Sequence, residues 1–160
     1  MPDISLDTQI QILVDGLAKK ETALREIVNI TDNQRTVIES GLPPNEIRAF
    51  LLEMNQEKQA FILQVKGCDN LFESILKEVG PELDARQDLY KPQVAQMQQL
   101  IRRIMDLDVK VRVQEEENNQ KLAEVSPPPA HSGLKPKPAP LPPDSVKVIQ
   151  AYEREQQFRH

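Results

Sequence analysis

Apolar residues recur with an alternating spacing of four and three along three long segments, and this heptad pattern restricts the chain to packed helices. In the first segment the core-type positions hold Leu6, Ile10, Leu13, Leu17, Leu24, Ile27 and Ile38, with Lys20, Thr31 and Gln34 at the intervening ones. Ser5 or Asp3 is placed to cap the start, and Gly41 followed by two prolines is placed to stop the helix. The pattern predicts a first helix over about residues 5–39.

A second alternation predicts a second helix of similar length. Its core-type positions hold Ile47, Leu51, Met54, Lys58, Phe61, Val65, Cys68, Phe72, Ile75 and Val79. Pro44 suits the first turn, and Gly80-Pro81 is expected to end the helix because proline lacks the N–H that a helix interior uses. The short connection between the two helices predicts that they run antiparallel.

A third segment has Leu83, Tyr90, Met97, Leu100, Ile104, Leu107 and Val111 at its core-type positions. Pro92 predicts that the stable helix begins there, with 83–91 as a looser lead-in. The run 109–113 alternates like a strand, but the acid-to-base pairs around it favour a helix. After Val111 the core-type positions become polar, so this helix either frays or projects beyond its partners as a polar extension.

The remaining part of the chain differs in composition. Residues 1–125 carry 22 acidic and 15 basic side chains, net −7, whereas residues 126–160 carry 3 and 5, net +2. Eight of the 13 prolines lie between Pro127 and Pro143. We therefore expect three parts: a helical bundle over 1–125, a proline-rich extended linker over 126–143, and a short amphipathic C-terminal helix over 144–160.

Composition also argues against several classes of function. Five glycines leave little material for phosphate-binding loops, and the formal charge of −5 disfavours a nucleic-acid binder. The longest apolar run is Ala49–Leu52, far short of the roughly 20 residues that span a bilayer. The acidic residues Asp3 and Asp7 do not fit a secretory signal, which indicates a cytosolic protein.

The residues that usually carry chemistry are scarce. The two histidines, His131 and His160, lack partners at ligand spacing, and Cys68 occupies a core-type position. The sequence therefore predicts no enzyme, no metal site and no cofactor. Monomer or weak homodimer is the expected state.

Two features stand apart from the core pattern. An antiparallel hairpin would bring Gly16 and Gly67 level, where they either allow close helix approach, receive a partner's side chain, or are simply tolerated. The run 137–143 has the PxxP form that aromatic grooves bind, although a plain spacer has the same composition.

The order of elements, with EMNQEKQAFILQVKGCDNLFESILKEV at 53–79 and YKPQVAQMQQLIRRIMDLDVKVRVQEEENN at 90–119, resembles the FlgN-type flagellar export chaperones. The resemblance covers roughly residues 5–125, and the terminal segment VIQAYEREQQF at 148–158 is also similar to theirs. The family has no catalytic motif.

This resemblance implies a cytoplasmic chaperone of the bacterial flagellar type III secretion system. Such proteins bind the C-terminal amphipathic helical segment of hook-filament junction proteins, of the FlgK and FlgL types. They then help deliver these junction proteins to the export apparatus. We expect the contact surface to use apolar residues left over by the core. These are Leu107, Val111, Leu122, Val125, Val148, Ile149, Tyr152 and Phe158.

Other classes remain open from the sequence. A structural coiled-coil protein would self-associate through the same heptads, and an adaptor would dock through its proline-rich run. A chaperone for another flagellar client, such as the filament cap protein, would have the same architecture.

Overall fold

The computed structural model describes residues 5–125 as three long α-helices that pack into an elongated bundle. The helices are α1 (Leu6–Ile38), α2 (Pro44–Ala85) and α3 (Lys91–Val125), with a single 3₁₀ turn, Gln87–Leu89, between α2 and α3. This part of the chain contains no strand, so the predicted all-α helical bundle is confirmed. The linker and terminal helix expected over 126–143 and 144–160 lie outside the described residues.

The side-chain contacts between helices define the topology. Partners on α1 and α3 are separated by 82 positions, as in Glu21–Arg103 and Arg35–Glu117, so these two helices run parallel and in register. Lys20 contacts Asp69, whereas Gln34, further along α1, contacts Asn55, so α1 and α2 run antiparallel. Both α2 and α3 pack closely on α1, and they approach each other less closely. The first helix is therefore the centre of the bundle.

The first two helix boundaries follow from local chemistry. The Ser5 hydroxyl accepts a hydrogen bond from the Thr8 backbone N–H at 3.2 Å, so Ser5 is the residue that caps α1. Gly41 has a φ of +77°, a conformation that side chains with a Cβ rarely adopt, and it reverses the chain after α1. Pro44 opens α2 as expected.

The predicted end of α2 at Gly80-Pro81 is wrong, because the helix continues to Ala85. The ring of a proline inside a helix clashes with the backbone N–H and the Cβ of the preceding residue, and Gly80 has no Cβ, so part of this conflict is absent. The lead-in expected over 83–91 is therefore divided between the last turn of α2 and the 3₁₀ turn. The third helix begins at Lys91, which places Pro92 in its first turn as predicted.

The main core contains the predicted apolar heptad residues of α1 except Ile38, together with additional ones. Val14, Ala23, Val28 and Ile30 are also buried, which the single predicted stripe does not include. Because α1 has a neighbour on each side, it buries a wider face than a two-stranded seam requires. The run 109–113 lies within α3, so the helical interpretation of its alternation is confirmed.

Candidate partner-binding surface

The end of the bundle that joins α1 to α2 has its own small apolar cluster, separate from the main core. Ile38, Ile47 and Leu51 are buried there, and Val37 and Leu122 pack partly buried against them. We call this region, with the C-terminal turns of α3, the distal end. Burial of one such side chain contributes about 1.5–3 kcal/mol, so three of them hold the distal end far less firmly than the main core is held.

A layer of buried polar side chains separates the distal cluster from the main core. Its members are Thr31 and Gln34 of α1, Lys58 of α2, and Asn118 of α3, each no more than 6% exposed. The Lys58 ammonium donates to the Gln34 side chain at 2.6 Å and also pairs with Glu115 of α3. Gln34 in turn donates to Asn55 at 2.7 Å. This distal polar layer is hydrogen-bonded, so it is tolerated inside the bundle, but it adds little apolar burial.

The third helix follows α1 through the polar layer instead of fraying or projecting. The Asn118 amide donates to the Thr31 carbonyl at 3.0 Å, and the Gln114 amide donates to Asp32. Lys121 donates to Glu39, and this hydrogen bond lowers the pKa of the Glu39 carboxyl. The polar residues after Val111 are therefore matched to polar positions of α1, which sequence periodicity alone did not reveal.

The structure places the predicted contact residues in different environments. Val111 is buried in the main core, and Leu107 packs partly buried against that core. Leu122 belongs to the distal cluster, and Val125 is 40% exposed. Leu122 and Val125 thus share the distal end, whereas Leu107 and Val111 lie on the other side of the polar layer. Val148, Ile149, Tyr152 and Phe158 lie outside the described residues.

A second polar layer lies within the main core. The heptad pattern placed Lys20 at a core-type position but did not include the other two residues of this layer. Lys20 of α1 forms a 2.6 Å ion pair with Asp69 of α2, and Asp108 of α3 is buried beside them. One carboxylate oxygen of each aspartate accepts no hydrogen bond from the described part of the chain. Burial raises the pKa of Asp108; Lys20 and Arg112 oppose this, and the Asp69 charge adds to it.

The structure also shows the surroundings of the two helical glycines and of Cys68. A Cβ added at Gly16 or Gly67 would have no atom within 4 Å, so neither glycine allows a close helix approach. Cys68 is half-buried, and burial raises the pKa of its thiol, with the Asp69 charge contributing. A raised pKa disfavours the reactive thiolate, in agreement with a structural role for this cysteine.

Metal-ligating side chains do not cluster in the described helices. Residues 5–125 contain no group of three or more His, Cys, Asp or Glu side chains arranged to hold a metal ion. None of the described helices combines the length and apolar character needed to cross a bilayer. What this region does present is the distal end, with its weak core and its partly exposed Leu122 and Val125.

Comparisons of the chain with protein-family models, curated proteins and solved structures found no match.

Proposed function

We propose that this protein is a cytoplasmic chaperone of the bacterial flagellar export system, which binds an amphipathic C-terminal helix of a hook-filament junction protein. The proposal begins from the resemblance of 53–79 and 90–119 to FlgN-type chaperones. The client helix binds at the distal end, where Leu122 and Val125 offer apolar surface. The residues after Val125, including Ile149 and Tyr152, then contribute further apolar contacts.

The observation that carries this proposal is the polar layer between the distal cluster and the main core. Because the layer interrupts apolar packing, the distal end opens at a lower free energy than the rest of the bundle. Opening separates the residues of the small apolar cluster. The apolar side chains of a client helix then replace the contacts that these residues have lost, in the helix-in-groove mode of recognition. Such binding is reversible, since part of the interaction free energy is used to open the bundle.

Binding of the full chain to a fluorescent peptide from the C-terminus of a junction protein tests the proposal. Val125→Asp should weaken this binding about tenfold or more, because a buried apolar contact at an interface centre is worth more than 1 kcal/mol. Val109→Asp is the matched control, since Val109 is 59% exposed on the same helix but precedes Val111, on the main-core side of the polar layer and away from the distal end. Absence of peptide binding by the unmodified chain would contradict the function.

The contribution of the tail is tested separately. Ile149→Asp combined with Tyr152→Asp should weaken peptide binding without lowering the thermal stability of the bundle. A large loss of stability would instead mean that these residues belong to the bundle itself. Unchanged affinity would remove them from the binding surface while leaving the distal end as the site.

A further inference from the structure

One edge of α2 carries a second apolar stripe that the bundle only partly covers. Phe50 and Leu71 are 47% and 49% exposed, although they lie on the longest helix of a chain with few aromatic residues. Half-buried residues continue the line between and beyond them. The stripe consists of Phe50, Met54, Phe61, Cys68, Leu71 and Ile75.

The stripe is continuous on the helix surface and adjoins α1. With 3.6 residues per turn, all six side chains project within about 60° of the direction of Phe50. Phe61 and Ile75 reach the main core with part of their surface. The Gln9 amide of α1 donates to Glu78, just beyond the end of the stripe, at 3.2 Å, and the charge of Lys19 of α1 acts on Cys68 within it, so this edge of α2 borders α1. Among exposed residues, Glu53, Glu57 and Gln64 interrupt it.

Charges on α2 are segregated relative to this stripe. Five exposed glutamates project within about 80° of Phe50; they are Glu46, Glu53, Glu57, Glu78 and Glu82. The exposed bases Arg48, Lys66 and Lys77 project about 160–180° away, on the opposite face. On the neighbouring edge of α1, Lys19 and Glu26 offset each other. The stripe is therefore an apolar strip within an acidic border.

We propose that this stripe is a docking surface for an amphipathic helix of a partner protein whose apolar face is flanked by lysine or arginine. Apolar anchors spaced by three, four and seven residues match the face of a helix laid alongside α2. The acidic border selects basic flanks and repels acidic ones. This surface is independent of the distal α3 residues to which the client is assigned, so either assignment can fail without the other.

Two synthetic helical peptides test the proposal on the full chain. Both carry Leu and Phe on one face; the first has lysine on both flanks, and the second has glutamate at the same positions. The lysine peptide should bind at least about tenfold more tightly, and its advantage should shrink as salt screens the charges. Equal affinity of the two peptides, or no binding of the lysine peptide, would overturn the proposal.

Matched substitutions locate the binding on α2. Leu71→Ser should weaken binding of the lysine peptide about tenfold. Leu63→Ser should leave this binding unchanged, although Leu63 is even more exposed at 60%. Glu57→Lys should also weaken it, and Glu73→Lys, on the opposite face, should leave it unchanged. Equal effects of the two serine variants would overturn the assignment to this stripe.

Two outcomes would assign the stripe to a different occupant and overturn the proposal. If Ile149→Asp with Tyr152→Asp increased the affinity for the lysine peptide, the chain's own C-terminal segment would be the occupant. If sedimentation showed a dimer that Leu71→Ser dissociates, a second copy of the chain would be the occupant. If the occupant is the proposed partner helix, the unmodified chain and the Leu71→Ser variant should sediment alike. The Ile149→Asp/Tyr152→Asp variant should then bind the lysine peptide with unchanged affinity.

Discussion

Three charged side chains, one from each helix, share a buried position in the main core. Lys20 pairs with Asp69, whereas Asp108 lies nearby with one carboxylate oxygen that no described group satisfies. Burial is the main cause of the raised pKa of Asp108, and the charge of Asp69 adds to it, whereas Lys20 and Arg112 oppose it. The two aspartates are expected to contribute to stability with opposite signs.

Asp69→Asn should destabilise the protein by about 3 kcal/mol, because it removes the direct partner of a buried ammonium. Asp108→Asn should be neutral or stabilise by about 1 kcal/mol, because it removes a buried charge that is incompletely paired. Urea unfolding at pH 7 measures both changes. A larger loss for Asp108→Asn than for Asp69→Asn would contradict this assignment of roles.

Asp108 also predicts a pH dependence. A carboxyl whose pKa is higher in the folded than in the unfolded state binds more protons when folded, so its contribution to stability falls as pH rises. The fall begins near the ordinary value of 3.8 and is complete above the raised folded pKa. Asp108→Asn should flatten this part of the stability curve, and Asp106→Asn, at an exposed position, should not.

The helical glycines give a separate prediction at the same scale. Gly16→Ala and Gly67→Ala should each stabilise the protein by about 1 kcal/mol, because alanine is the better helix former and each site has open space for a Cβ. Gly41→Ala is the contrasting control and should destabilise, since the φ of +77° strains an alanine. Thermal unfolding would contradict this if Gly16→Ala or Gly67→Ala lowered the melting temperature.

At the scale of elements, the heptad positions were sufficient to predict three helices and most of their buried residues. They failed where a boundary depends on a pair of residues: Pro81 alone predicts a helix end, but Gly80 before it has no Cβ and so removes part of the steric conflict. They also failed for the distal half of α3, whose polar residues pair with Thr31, Asp32 and Glu39 of a helix about 80 residues earlier. Hydrophobic periodicity carries no information about such polar pairing between helices.

Pro81→Ala tests the continuity of α2. It restores a backbone N–H inside the helix and should stabilise the protein by about 1–3 kcal/mol, somewhat less than the full penalty of proline in a rigid helix. Gly80→Ala should raise the free energy of unfolding only slightly while Pro81 is present, and by about 1 kcal/mol once Pro81 has been replaced. Additive effects of the two substitutions in chemical unfolding would argue against the steric explanation.

At the scale of the whole molecule, the distal polar layer divides one bundle into a large core and a small distal cluster. Asn118→Leu should join the two by adding apolar contact, and so stabilise the protein by about 1 kcal/mol. It should also weaken binding of the junction-protein peptide, because opening of the distal end becomes less favourable. Gln120→Leu, at an exposed position of the same helix, is the control. Tighter peptide binding by Asn118→Leu would contradict the role assigned to the layer.

Native-state hydrogen exchange on the full chain, with and without the junction-protein peptide, tests the central claim most directly. The account predicts that amides around Ile38, Leu51 and Leu122 open at a lower free energy than those around Leu24 and Ile104, and that the peptide protects the distal set. Equal opening free energies along the bundle, or protection by the peptide only outside the distal end, would contradict it.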